Sequence, residues 1–258
     1  MLTTQECIFC GDRPTNKEDI WPKWIGRYLG HRPTNSYLRA ASGLERTFKG
    51  MSYSARAKVV CKDRCNGGWM KGLEDENSPL MKRMFDEKFS VRILAGPTQL
   101  SLARWILKTA MMIQYIEGPS VIPSAIYREF LASDLTIPDH CWIYLARHTM
   151  EQMPNGSHSI AWDVGATPHP RPGVPYHGEL YGVTFFIQNL VMQVVGYRLD
   201  SPSRLGLDLR FPQRFRPYIQ EIWPMGWGFN WPPDKPSFND AGLRDFAAGL
   251  AEMRGSAD

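Results

Sequence analysis

Two close pairs of cysteines constrain the fold of this 258-residue chain more than any other feature of its sequence. Two residues separate Cys7 from Cys10, and three separate Cys61 from Cys65. Gly11 follows the first pair, where a tight turn favours a positive φ. A close pair presents two thiolates on one turn, and Zn²⁺ prefers four such ligands in a tetrahedron. We therefore predict that these four cysteines form one closed structural zinc site.

The number of cysteines and the start of the chain indicate a reducing compartment. There are five cysteines, an odd number, and the first residues lack the basic and apolar regions of a secretory signal. Both facts argue against a disulfide framework. No apolar run approaches the roughly 20 residues that span a bilayer, so we expect a cytoplasmic protein without membrane contact. Cys141 begins an apolar run and is expected in the core. The alternative for the other four is that they too are buried free thiols.

Composition and charge favour a globular protein with an anionic partner. Hydrophobic residues make up 43% of the chain, which excludes a disordered protein, and the formal net charge is +4. Residues 1–88 hold the excess of Lys and Arg, and the remainder is close to neutral. A basic first third fits nucleic acid as a partner. The alternative is a solvated surface with a modest cationic excess.

The pattern of apolar residues predicts an α+β fold. A short helix is expected over 20–30, from Pro22 to Gly30, and a β-ribbon with loops over 31–58. The expected elements that follow are a helix over 65–85 broken at Ser78-Pro79, a buried helix over 101–118, a helix over 123–134, strands over 141–148, 158–167, 178–188 and 191–200, and a C-terminal amphipathic helix capped by Ser237 or Asn239. We divide the chain into residues 1–88, which carry the cysteine pairs, and residues 89–258.

Three stretches around the cysteines, CIFCG, NKEDIWPKWI and VVCKDRCNGGWMKGLE, lie within residues 5–85. Together they resemble the HNH endonuclease superfamily, and they look closest to its bacterial and phage zinc-knuckle members. The resemblance implies a small ββα-metal module, in which a β-ribbon and a helix hold one divalent cation. It assigns Glu18 and Asn66 as ligands of a catalytic Mg²⁺ or Mn²⁺. Gly67 and Gly68 would let a phosphate approach closely.

The chain departs from the family pattern at Asp19, which stands where the motif has its histidine. Histidine titrates near neutrality and serves as a base there, whereas an ordinary aspartate is a much weaker base. Three interpretations stay open: Asp19 is the base of a slower or altered nuclease, His31 supplies the proton transfer, or the chemistry is lost and only binding remains. Without the resemblance, Glu18 and Asp19 are an acidic pair before a helix, and His31 is a surface or packing residue.

The resemblance implies a DNA phosphodiesterase, in phage defence or in a mobile element. Lys23, Arg27, Arg64 and Lys71 are the residues that we expect along the phosphate backbone. Residues 89–258 would recognise the substrate or a partner, and a protein partner or a second copy of the chain is also compatible. The competing hypothesis is a catalytically inactive zinc-binding module that binds nucleic acid or a protein.

Three tryptophans recur every fourth residue in WPMGWGFNWPP: Trp223, Trp227 and Trp231. We expect them to pack over the sheet as a lid, although exposed indoles could instead stack on unpaired bases. Just before them, Arg210, Arg214 and Arg216 alternate with aromatic residues. That alternation fits phosphate contacts and an edge strand equally well.

Overall fold

The computed structural model describes residues 6–13, 16–31, 33–40, 45–51, 53–86, 90–117, 120–149, 155–163, 178–199 and 213–249. The strands are β1 (Asn16–Asp19), β2 (Pro33–Ala40), β3 (Glu45–Met51), β4 (Arg56–Val60), β5 (Val91–Leu94), β6 (Cys141–Arg147), β7 (Asn155–Asp163), β8 (Gly178–Ile187), β9 (Leu190–Leu199), β10 (Gln220–Trp223) and β11 (Phe229–Trp231). The helices are α1 (Lys23–Leu29), α2 (Lys71–Phe85), α3 (Gly96–Glu117), α4 (Ser124–Ala132) and α5 (Asp240–Ala248).

A seven-stranded sheet with the order β10-β6-β9-β8-β7-β2-β3 is the centre of the fold. Its neighbouring strands are antiparallel except for β2 and β7, which pair in parallel at Leu38 and Ser157. Two smaller antiparallel sheets pair β1 with β4 and β5 with β11. The predicted α+β class with antiparallel strands is therefore confirmed.

Both faces of the central sheet are buried along β8 and β9, which explains why these two strands are apolar nearly throughout. Along β8, Val183 and Phe185 belong to the large core on the α3 side. Leu180 and Phe186, which alternate with them, belong to a second apolar cluster together with Phe246 of α5. Because alternate side chains of a strand point to opposite faces, the sheet is enclosed between α3 on one side and α5 on the other.

Helix α3 packs across the central sheet and against α2, so the predicted buried helix is confirmed. The polar side chains along one side of α3 do not face solvent, because neighbouring elements provide their hydrogen-bond partners. The Asn77 Nδ2 donates to the Ser101 Oγ at 2.9 Å, and the Arg104 Nε donates to the Leu135 carbonyl at 2.8 Å. Lys108 is also buried. In the part of the chain that the structure describes, no helix combines the length and hydrophobicity needed to cross a bilayer.

The helix and the ribbon next to the cysteines agree with the predictions made from the sequence. Helix α1 begins after Pro22 and ends at Gly30, whose φ of 81° ends the helix without strain because glycine has no side chain. The predicted ribbon is confirmed as β2 and β3. It joins the central sheet through the pairing of β2 with β7.

The predicted break at Ser78-Pro79 is wrong, because α2 runs through Pro79 without interruption. A proline inside a helix removes one hydrogen bond and costs about 3 kcal/mol. Burial of Leu73, Met81 and Met84 on the inner face of α2 offsets that cost. The irregular backbone lies earlier, at Gly68 (φ −95°, ψ −115°), inside a π-type helical segment over Lys62–Met70.

The four strands predicted after residue 140 are confirmed as β6 to β9, although residues 164–167 and 200 lie outside the described ranges. Contacts cross the boundary that we drew at residue 88. The Met84 carbonyl of α2 accepts from the Trp231 Nε1 at 3.0 Å and from the Asn189 Nδ2 at 3.4 Å. The division into 1–88 and 89–258 stays a prediction, and the apolar core extends across it.

Helix α5 provides a local test of the sequence rules. The Asn239 Oδ1 accepts from the Gly242 N–H at 2.7 Å, so Asn239 rather than Ser237 is the cap. We predict that Asn239→Ala lowers the free energy of unfolding by about 1 kcal/mol, because it leaves an N–H of the first turn without its partner. Ser237→Ala, the matched control, should change it by less than about 0.5 kcal/mol. Urea titrations of both variants check this, and equal losses would contradict the assignment.

Candidate metal centre

Local backbone geometry brings the two cysteine turns together. In the first turn the Gly11 N–H donates to the Cys7 carbonyl at 2.9 Å, and Gly11 has a φ of 82°. The Ile8 N–H donates to the Val59 carbonyl at 3.0 Å, which fastens this turn to the end of β4. Cys61 follows β4 directly, and Cys65 lies in the π-type segment before α2. The pairing of β1 with β4 thus brings together the two ends of the long segment between the cysteine turns.

The four sulfur atoms have the spacing of a tetrahedral metal site. The Sγ atoms of Cys7 and Cys65 are 3.6 Å apart, those of Cys10 and Cys61 are 3.4 Å apart, and all four lie within 4.8 Å of one another. Zn–S bonds of about 2.3 Å in a tetrahedron give S–S separations of about 3.8 Å, whereas a disulfide requires about 2.05 Å. The predicted convergence of the four cysteines is confirmed. The cluster can bind a metal ion such as zinc.

The pKa values of the cysteine thiols also indicate that the cluster can bind a metal ion. The hydrogen bond from Cys65 lowers the pKa of Cys7 to about 4. That same bond, followed by burial, raises the pKa of Cys65, and burial raises the pKa of Cys10 to about 12. Four thiols this close cannot all ionise unless a cation offsets their charge. A divalent ion would supply that charge.

Aromatic side chains enclose the cysteine cluster. Phe9, between the first two cysteines, packs with its ring centre 5.0 Å from that of Trp69 and 5.6 Å from that of Tyr127. Trp69 in turn contacts Phe130 of α4 at 5.9 Å. An apolar shell limits the access of water to a metal site and stabilises its geometry. The arrangement is typical of a structural site rather than a catalytic one, because every cysteine of the cluster is directed at the same point.

A group of buried charges lies on the inner side of β1. Glu18 is only 8% exposed, and Glu74 of α2 and Lys108 of α3 are among the groups that act on its charge. The Lys108 Nζ forms an ion pair with the Glu74 Oε1 at 3.0 Å, and the Lys108 side chain is 1% exposed. We call Glu18, Glu74 and Lys108 the charged cluster. Burial first, and then the Glu74 carboxylate, raises the pKa of Glu18 to about 7.

Asp19 has a different environment from Glu18, because successive side chains of β1 point to opposite faces. Its Oδ1 accepts from the Arg56 Nε at 2.6 Å, and its Oδ2 lies 3.8 Å from the Lys23 Nζ. Arg56 is opposite Asp19 in the pairing of β1 with β4. The residue at the position of the motif histidine is therefore held in ion pairs.

The other predicted site residues divide into two groups. Asn66 is half-buried directly after Cys65, and its backbone N–H donates to the Cys61 carbonyl at 3.1 Å. The predicted phosphate-binding residues are all exposed; they are Lys23, Arg27, Arg64 and Lys71. Two of them have acidic partners, Asp19 for Lys23 and Asp75 for Lys71. His31 lies with its ring against the backbone of Gly26, which is a packing contact.

Within the described ranges, the four cysteines are the one group of three or more His, Cys, Asp or Glu residues whose ligand atoms lie within 4.8 Å of one another. Glu18 and Asp19 therefore do not converge with a third carboxylate or a histidine at that distance. A second-metal site at this position would need Asn66, water or phosphate oxygens to complete its coordination.

The sequence did not indicate Glu74 or Arg56 as residues of this region, and it did not indicate that Lys108 points inward. A lysine in the middle of an apolar helix was the available signal, because a buried ammonium group requires an acidic partner. No comparable signal exists in the sequence for Arg56, whose position opposite Asp19 depends on the register of β1 and β4.

No protein-family model, curated protein or solved structure matches the chain. The resemblance to the HNH superfamily therefore stays a prediction from the quoted motifs.

We predict that the purified chain contains about one zinc ion, and that Cys61→Ser or Cys65→Ala lowers the content below about a tenth of that because a tetrahedral site fails without one thiolate. Cys141→Ala is the matched control. That thiol is buried outside the cluster, so the metal content should not change. Mass spectrometry of metals checks both. Equal loss in all three variants would mean unfolding, and no metal in the wild-type chain would contradict the site.

The charged cluster predicts an unusual dependence of stability on pH. The folded state holds the proton of Glu18 more tightly than the unfolded state, so the stability that it contributes is present below pH 4.5 and is lost as the pH rises to about 7. Glu18→Gln removes that loss. We expect the variant to exceed the wild-type chain in free energy of unfolding by about 1 to 3 kcal/mol at pH 8, with the difference shrinking towards pH 5.5.

Glu74→Gln is the control for the Glu18 prediction. It removes the carboxylate partner of buried Lys108 and should lower the free energy of unfolding by about 3 kcal/mol at pH 5.5. The loss should be smaller at pH 8, because the variant also removes a charge that raises the pKa of Glu18. Denaturant unfolding at the two pH values measures both variants. A Glu18→Gln variant that is less stable than the wild-type chain at pH 8 would show that the Glu18 carboxylate stabilises the fold.

Proposed function

We propose that this chain is a zinc-stabilised, HNH-like endonuclease that hydrolyses DNA phosphodiester bonds with Mg²⁺ or Mn²⁺. The observation that supports the proposal is the placement of Glu18. Its buried carboxylate stands on the two-stranded sheet that ends at the cysteine cluster, and it interacts with Glu74 on the helix that follows the same cluster. A sheet and a helix thus present carboxylates to one another beside a structural metal site.

Two carboxylates with one buried ammonium group are not an arrangement that stability alone favours. Lys108 pairs with Glu74 at 3.0 Å, and within the described residues Glu18 forms no ion pair of its own. Burial and the like charge of Glu74 raise the pKa of Glu18 to about 7, and carboxylates with raised pKa values are concentrated at functional sites. Carboxylate and amide oxygens are also the ligands that Mg²⁺ prefers. The residues that would hold Mg²⁺ or Mn²⁺ are Glu18 and Asn66.

The bound ion would polarise the scissile phosphate and stabilise the leaving oxygen. The protein contributes position and charge. The cysteine cluster fixes the end of β4 and the turn that precedes Asn66, and the exposed Gly67 and Gly68 leave room beside this turn for a phosphate. Arg27 and Arg64 are exposed, and in the described ranges neither has an ion pair, so they are available to the DNA backbone.

The first experiment is a plasmid-nicking assay on the zinc-loaded chain, with Mg²⁺, Mn²⁺ or Ca²⁺. We predict nicking with Mg²⁺ or Mn²⁺, and a loss of at least about 100-fold in Glu18→Gln and Asn66→Ala because the cation loses a ligand. Glu129→Gln is the matched control, since this exposed carboxylate pairs with Arg198 and is outside the predicted set of ligands. Its nicking rate should equal that of the wild-type chain. Activity that survives both Glu18→Gln and Asn66→Ala would contradict the assignment.

The second candidate function is a catalytically inactive module that binds nucleic acid. The observation that favours it is the ion pair of Asp19 with Arg56 at 2.6 Å, because this contact occupies a carboxylate oxygen that a catalytic base would direct at the attacking water. Tight DNA binding without nicking under any divalent cation would select this candidate.

The variant Asp19→His distinguishes a weakly active nuclease from a catalytically inactive module. Histidine at this position would supply a base that titrates near neutrality, so we predict an increase of at least about tenfold in the nicking rate at pH 7.5. Asp19→Asn, the control, removes the charge without supplying a base and should not increase the rate. Nicking by neither the wild-type chain nor Asp19→His would support the inactive module.

A further inference from the structure

The tryptophan-rich segment near the C-terminus places one indole in solvent. Trp231 is 1% exposed and Trp223 packs at the edge of the core, as expected for a lid. Trp227 is 96% exposed, so the packing prediction is wrong for this residue. Among the described residues it is the most exposed large hydrophobic side chain, and an indole face held in water is available to stack on a flat ligand.

The loop that carries Trp227 is fixed at both ends. On one side, the Ile222 carbonyl in β10 accepts from the buried Gln99 Nε2 at 2.8 Å. On the other side, the Trp231 Nε1 donates to the Met84 carbonyl at 3.0 Å, and β11 pairs with β5. We call residues 224–228 the Trp227 loop. Its indole is exposed because two anchored strands hold it there, and not because a chain end has frayed.

A cavity of about 510 Å³ opens beside the Trp227 loop. That volume lies within the range of small-ligand sites and is enough for one nucleotide. Among the residues that line it are Gln220, Glu221, Trp227, Asp234 and Lys235. One aromatic face, an amide, two carboxylates and an ammonium group therefore converge on one opening.

The chemistry of this lining fits a nucleotide in an unpaired strand. Every base can stack on an indole, and the carboxylates of Glu221 and Asp234 can accept from the amino groups on base edges. A cation is available for the phosphate, because Lys235 lines the cavity and its Nζ donates to the Arg216 carbonyl at 3.4 Å, which brings the two basic residues together.

The geometry points to the Trp227 loop as a binding site for an unpaired nucleobase in a single-stranded segment of nucleic acid. Trp227 stacks on the base, the carboxylates contact its amino edge, and Lys235 contacts the backbone. This inference rests on the proposed function only in taking nucleic acid as the ligand. It requires neither cleavage nor a second metal ion.

The site is separate from the metal centre. Trp231 contacts α2 at Met84, close to the C-terminal end of that helix, whereas the cysteine cluster precedes its N-terminal end. The 15 residues of α2 span about 20 Å at 1.5 Å per residue. A single strand held at Trp227 would therefore be recognised at a distance from the phosphate that the proposed nuclease cleaves.

Fluorescence anisotropy of labelled oligodeoxycytidylate and oligothymidylate tests the proposal on the zinc-loaded full-length chain, without added Mg²⁺ so that nothing is cleaved. We expect Trp227→Ala to weaken binding of the cytidylate by about tenfold, which corresponds to one base stacked on an aromatic ring. Trp227→Phe should retain most of the affinity. Met225→Ala, a 47% exposed residue of the same loop, is the matched control and should bind like the wild-type chain.

Two further measurements define the contacts. Lys235→Ala should reduce the salt dependence of binding by about one phosphate contact, and oligothymidylate, which lacks an exocyclic amino group, should bind more weakly than oligodeoxycytidylate. Binding of a duplex of the same length should change less than about twofold in Trp227→Ala, because paired bases do not offer their faces.

Several results would overturn the inference. They are a wild-type chain that does not bind either single strand, a Trp227→Ala variant that binds them as tightly as the wild-type chain, and binding of a chito-oligosaccharide that Trp227→Ala abolishes while single-strand binding persists. The last result would assign the loop to carbohydrate. Loss of the nuclease proposal, with Trp227-dependent single-strand binding retained, would leave this site established by itself.

Discussion

The convergence of four thiols on one point is the constraint on which the rest of the first third of this protein depends. It joins a turn near the start of the chain to the end of β4 and to the segment that leads into α2. The cluster joins the two ends of the segment that carries β2 and β3, and this ribbon can therefore extend into the central sheet. A small apolar core would not hold these turns by itself, and a structural metal ion contributes folding energy directly.

The charged cluster shows a conflict between stability and function. Glu74 and Lys108 form a buried pair, whose net contribution to stability is small when both partners are present and large when one is removed. Glu18 adds a second carboxylate, which is buried and forms no ion pair within the described residues, and its burial raises its pKa. Asp240, the other buried carboxylate among the described residues, is paired, because the His148 Nε2 lies 2.7 Å from its Oδ1. The exception lies where the resemblance predicts a catalytic cation.

Much of the architecture could be predicted because local rules dominate it. The spacing of the cysteines, the apolar run of α3 and the cap at Asn239 each depend on residues close in sequence. The continuity of α2 through Pro79 could not be predicted, because packing of its inner face overrides the local penalty of proline. For the same reason, the partners of Lys108 and Asp19 depend on how distant elements align. Trp227 follows the spacing of its neighbours and yet faces water.

X-ray absorption at the zinc edge of the purified chain tests the central claim most directly, because it reports the ligands of the ion rather than its presence. Closure of the fold by the four cysteines predicts four sulfur neighbours at about 2.3 Å and no nitrogen or oxygen in the first coordination sphere. A spectrum with two or more nitrogen or oxygen ligands, or an ion without sulfur neighbours, would show that the cysteines do not clamp the chain together.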